Sequence, residues 1–151
     1  MPDFRREDLM RFAIAALVAL TLVGCSSLQP LPIRAGDTCY ACGRVIAEPK
    51  LAAEMIDAGG RAYKFETVTC LAKYLVGHPS EQLKGTFVTD WSAGKWLPAD
   101  NATYVRAVVD ESTMAKSYYA FRSTDAAASF AKEKTSTAVD WATVQQQVKG
   151  N

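Results

Sequence analysis

Histidine is almost missing from these 151 residues, His78 being the only one. A chain with one imidazole has little means of building His-centred acid–base chemistry. No Gly-rich phosphate loop occurs, and no nucleophile–base arrangement stands out, which argues against a nucleotide enzyme or a hydrolase. Charge of one sign is lacking as well. The chain has 17 Lys and Arg against 16 Asp and Glu, a net of +1, so nothing points to nucleic acid as a partner. The apolar run Phe12 to Val23 falls short of the roughly 20 residues that a transmembrane helix needs.

That run instead has the setting of an export signal. Arg5, Arg6 and Arg11 form a basic leader, and the apolar stretch ends at Leu22-Val23-Gly24-Cys25-Ser26-Ser27. Small residues before a Cys at this point resemble the bacterial lipobox. The expectation is a signal peptide over 1–24, acylation of Cys25, and a chain tethered in the bacterial cell envelope rather than spanning a membrane. Ser26 after Cys25, where Asp would signal retention, favours the outer membrane over the inner. Residues 25–37, with Pro30, Pro32 and Gly36 and no periodicity, are expected to form a linker from the lipid to a domain over 38–151.

Within that domain the sequence repeats itself. Tyr63-Lys64-Phe65-Glu66-Thr67 is echoed 56 residues later by Tyr119-Ala120-Phe121-Arg122-Ser123, and Asp90-Trp91 by Asp140-Trp141. Several echoes in order indicate a duplicated unit, with pseudo-repeats over about 38–97 and 98–151. In the first, Leu51 to Asp57 and Arg61 to Glu66 read as strands around Gly59-Gly60. Thr67 is placed to cap a helix to about Val76, and Thr86 to Trp91 returns as a strand. In the second, Tyr104 to Val109 and Ser117 to Arg122 are the strands. Ser123 caps a helix to about Lys134, a short strand lies near Ala138, and Asp140 caps a last helix with Trp141, Val144 and Val148 inward. The fold class is α+β, two small β-β-α-β halves forming one compact unit.

The chemistry lies in sulfur. Three cysteines remain after Cys25: Cys39 and Cys42 in a Cys-x-x-Cys-Gly run, and Cys70 in the first turn of the first helix, where a helix dipole is expected to lower a thiol pKa. The position equivalent to Cys70 in the second copy is Ala126, so volume alone does not require a thiol there. Met114 sits in the polar loop Asp110 to Lys116, with little core to fill. Three thiolates and a thioether without a carboxylate favour Cu(I). Replacing Met114 by His78 gives a tetrahedral zinc set, and the Cys-x-x-Cys-Gly turn is similar to a zinc knuckle. A third possibility is thiol–disulfide exchange by Cys39 and Cys42, although Gly43-Arg44-Val45-Ile46 leading to Pro49 is a poor helix start for such a motif.

The order of these elements resembles one family. Cys39-Tyr-Ala-Cys42-Gly43, Tyr63-Lys-Phe65-Glu66 leading to Cys70, Asp90-Trp91 to Trp96-Leu-Pro-Ala, Ala102-Thr-Tyr104-Val105, and Thr113-Met114 to Ala120-Phe121 are similar to the NosL family, accessory lipoproteins of nitrous oxide reductase. The resemblance implies a periplasmic protein that binds Cu(I) and is no enzyme. Its implied partners are a copper donor protein or transporter and a copper-dependent client, nitrous oxide reductase. By the same resemblance Cys42, Cys70 and Met114 match family positions. The chain departs from the family's pattern in three places: Arg44 stands where the family often has Met, Glu66 replaces Asp, and Met114 lacks its flanking Pro and Gly. Cys39 is the thiolate expected to compensate for the missing Met.

Overall fold

A computed structural model describes residues 28–150. The signal-peptide reading over 1–24 and the acylation of Cys25 lie outside the described residues. Among the described residues no helix is long and apolar enough to cross a membrane.

The first half builds a four-stranded antiparallel sheet. Strand β1 (Ala53–Asp57) pairs with β2 (Ala62–Phe65) on one side and with β3 (Leu83–Thr89) on the other, and β4 (Trp96–Pro98) extends β3, giving the order β2-β1-β3-β4. Helix α1 (Val68–Gly77) connects β2 to β3 and buries Val68, Leu71 and Ala72. The Thr67 side chain accepts the Cys70 N–H, a cap that contributes about 1 kcal/mol. The second half repeats the scheme. Strands β5 (Thr103–Asp110) and β6 (Ala115–Phe121) pair antiparallel, helix α2 (Thr124–Glu133) follows, and β7 (Ala138–Val139) joins β5, giving β6-β5-β7. Helix α3 (Trp141–Lys149) closes the chain behind Asp140, which accepts from the Thr143 N–H at 2.8 Å. Helices α1 and α2 begin and end at positions 56 residues apart, the offset of the sequence echo.

Two expectations need correcting. The first strand starts at Ala53, because Pro49–Leu51 forms a 3₁₀ turn with Pro49 at its start and the Glu48 side chain accepting the Lys50 N–H. The returning strand runs Leu83–Thr89 rather than to Trp91. Asp90 begins a tight turn closed by the Gly94 N–H on its carbonyl at 2.7 Å, and the chain comes back as β4, which the alternation did not reveal.

One core joins both halves: Met55, Phe65, Leu71 and Val88 from the first pack with Tyr104, Tyr118, Trp141 and Val144 from the second. Alternation along β5 sends Tyr104 into this core and Val105 into a second cluster, beneath α2, with Tyr119, Phe121 and Ala127. The first sheet's other face carries Glu54 and Ile56 of β1 and Phe87 of β3, all buried. Residues 28–37 lie along that face. The Leu31 N–H donates to Glu54 Oε1 at 2.9 Å, and the Lys64 ammonium donates to the Pro32 carbonyl at 2.8 Å and pairs with Asp37. A Cβ at Gly85 would stand 2.8 Å from Leu28 Cδ2. The sheet is thus layered between this arm and α1.

Candidate metal centre

The Cys-x-x-Cys run folds as a knuckle rather than a helix start. Thr38 and Val45 form a bridge, the Cys39 N–H donates to the Arg44 carbonyl at 2.8 Å, and the Gly43 N–H returns to the Cys39 carbonyl at 2.8 Å. Gly43 turns the chain at φ +73°, a region that side chains with a Cβ disfavour. The knuckle is fixed to the edge strand β2 by the Tyr40 N–H donating to the Lys64 carbonyl at 2.7 Å. Tyr40 lays its ring over Tyr63, 4.6 Å between centroids. Helix α1 starts only three residues after β2 ends, so its first turn delivers Cys70 to the same place.

The three sulfurs of Cys39, Cys42 and Cys70 lie within 4.8 Å of one another, and among the described residues no other group of three Cys, His, Asp or Glu converges in this way. Metal–thiolate bonds of about 2.3 Å set sulfurs roughly 4 Å apart around one ion, so the cluster needs only small adjustments to close on a metal. No disulfide links them. Exposure is graded: Cys39 is 1% exposed, Cys70 is partly buried, and Cys42 is open to solvent.

The thiols differ electrostatically. Burial pushes the Cys39 thiol up, but backbone N–H groups of Glu66, Cys42 and Ala41 directed at its sulfur, with help from the Cys42 side chain, hold it below the ordinary value. Cys70 goes the other way, up to about 11, because burial dominates over a hydrogen bond from Thr67 and the neighbouring thiols add repulsion. The expectation of a lowered Cys70 thiol is therefore corrected: burial raises it instead.

Contacts that the sequence reading missed surround the thiols. Glu66 Oε2 accepts from the Cys42 thiol at 3.7 Å and from Arg44, whose guanidinium stands 2.7 Å away. The Thr67 hydroxyl, foreseen only as a helix cap, donates to the Cys70 sulfur at 3.4 Å. Opposite charges at positions 44 and 66, beside two of the thiols, were the available signal for the first.

Met114 sits at the tip of the β5–β6 turn, 64% exposed and at φ +55°. Asp110 shapes the turn by accepting from the Ser112 N–H and hydroxyl and from the Thr113 hydroxyl. A cleft of about 590 Å³ is lined by Asp110, Thr113 and Ala115 at this turn and by Arg44, Glu66 and Thr67 beside the thiols. His78 is not drawn in. It occupies the C-cap of α1, stacks on Tyr74 at 4.1 Å, and its Nδ1 meets the Tyr74 carbonyl at 2.8 Å. Eight residues of helix, roughly 12 Å, separate it from Cys70, which removes it from the zinc set.

Known proteins share this architecture. The crystal structure of the copper chaperone NosL from Shewanella denitrificans superposes with a TM-score of 0.63 at 18% identity, covering 74% of this chain and 92% of that one. No curated protein matches the chain. The sequence model of the NosL family, however, matches residues 30–149, nearly all of the described domain. The chain is a member of the NosL family.

Proposed function

We propose that this protein is a periplasmic, lipid-anchored Cu(I) chaperone that supplies copper for maturation of nitrous oxide reductase. The observation that carries the reading is the convergence of three thiols, one held deep by backbone amides and one open to solvent. Soft thiolates select Cu(I), and an exposed sulfur gives an incoming donor a place to begin exchange. The copper chaperone from Shewanella denitrificans has the same fold, which agrees with this reading.

In the proposed cycle Cys39, Cys42 and Cys70 hold the ion as cargo, each losing its thiol proton on binding. Met114 is the outer ligand, carried across the cleft by its turn. A thiolate or thioether of the client then displaces Cys42 first and the buried sulfurs afterwards. The copper keeps its oxidation state throughout, and no substrate bond is broken, so the activity is binding and transfer rather than catalysis. A copper donor protein or transporter loads the site by the reverse exchange. Cys25 supplies the anchor, and Ser26 places it at the outer membrane.

Anaerobic titration of the reduced protein with Cu(I), against a competing chelator, tests this. One ion should bind per chain, more weakly in Cys42→Ser and Met114→Leu. Unchanged affinity in both variants sinks the ligand assignment, and dithiol reductase turnover without copper would show Cys39 and Cys42 to be a redox pair instead.

A further inference from the structure

The arm over residues 28–37 is held by three neighbouring strands: by Lys64 on β2, by Glu54 on β1, and by Leu28 seated over Gly85 on β3. Pro30 and Pro32 stiffen it. Glu54, beneath it, has no exposed surface. The arm is therefore a layer of the domain, and its start is fixed relative to the sheet.

Cys25 lies three residues before Leu28. Three residues span at most about 11 Å even when fully extended. Among the described residues the large exposed apolar side chains are Leu28, Leu31, Tyr40, Val45 and Met114, and the first two belong to the arm. An acyl group on Cys25 would hold Leu28 within about 11 Å of the lipid surface, with Leu31 three residues further along the arm.

We infer that the arm-covered face of the first sheet is a bilayer-docking surface, with Leu28 and Leu31 seated in the interface of the membrane that holds the lipid of Cys25. The inference rests on the anchoring proposed above. It gives the tethered protein one orientation: α1, with Cys70 in its first turn, packs on the opposite face of the sheet and is turned away from the lipid. A copper partner then approaches from the aqueous side.

The test uses the full acylated chain in phosphatidylcholine vesicles whose acyl chains are brominated, a quencher of tryptophan within the bilayer. Leu31→Trp should add emission that brominated lipid quenches at least twofold relative to unbrominated vesicles. Val45→Trp, on the knuckle, should add emission that is not quenched. An unquenched Leu31→Trp on acylated, vesicle-bound protein overturns the docking face while leaving the anchor intact. Equal quenching at both positions overturns it too, since the domain would then tumble on its tether. A mature mass without acyl groups on Cys25 overturns the anchor and the docking face together.

Discussion

Replacing Met114 by glycine should stabilise the fold and weaken copper binding at once. Met114 holds φ +55°, a left-handed conformation that costs an L-residue roughly 1–2 kcal/mol. Its side chain is 64% exposed, so truncation forfeits little burial. Glycine removes the backbone cost but adds unfolded-state entropy worth about 0.5–1 kcal/mol. The net gain is about 0.5–1 kcal/mol, which for a domain of this size raises Tm by roughly 2–4 °C. Losing a ligand should lower Cu(I) affinity at least about tenfold, or 1.4 kcal/mol. Met114→Leu is the companion variant. It keeps the bulk and the strained backbone, so its Tm should stay put while its affinity falls equally. Thermal unfolding of the reduced, metal-free variants and chelator competition read the two effects separately. A Met114→Gly protein that melts lower would refute the strain argument, and wild-type affinity in both variants would refute the ligand assignment.

Other outcomes follow from the same geometry. Thr67→Ala and Ser123→Ala remove equivalent caps of α1 and α2, so each should cost about 1 kcal/mol in chemical denaturation. Only Thr67→Ala should also weaken Cu(I) binding, because only Thr67 touches a thiol; equal binding losses would refute this. Glu54 has its carboxyl pushed up, first by burial, and among the described residues only one of its two oxygens has a hydrogen-bond partner. A carboxyl raised in the folded state contributes stability that is fully present below the ordinary carboxylate pKa and is lost as pH rises through the folded value. Glu54→Gln should flatten that decline in a series of melts across pH, and an unaltered slope would assign it to other groups. Cys39→Ser should abolish Cu(I) binding more completely than Cys42→Ser, since Cys39 is the buried sulfur at which backbone N–H groups of Glu66, Cys42 and Ala41 are directed; the reverse ranking in competition titrations would overturn that.

Much of the fold was legible because the duplication spoke twice. Thr67 and Ser123 announced their helices through the same polar-cap pattern, and Asp140 did so for the last one. β4 was not legible, because three residues are too few to show alternation. The described part of the stretch expected to be a linker lies against a sheet, held through Glu54 and Lys64, and no local pattern encodes contacts 23 and 32 residues away. Cys39, Cys42 and Cys70 stood out as soft donors, but their grading from buried to open depends on which loop lies on which strand. The direction of the Cys70 shift was missed for the same reason: a dipole can be read from sequence, whereas desolvation needs the neighbours.

The knuckle has one more consequence. It is seated on β2, the outermost strand of its sheet, where unpaired backbone groups invite a second molecule to add a strand. By taking the Lys64 carbonyl with the Tyr40 amide and covering the edge with its loop, the thiol-bearing turn guards that strand against self-association. Damage to the turn, for instance a β-branched residue at Gly43, where φ is +73°, would therefore uncover that edge as well as disturb the sulfur ligands. The same few hydrogen bonds serve the chemistry and cover the edge of the sheet.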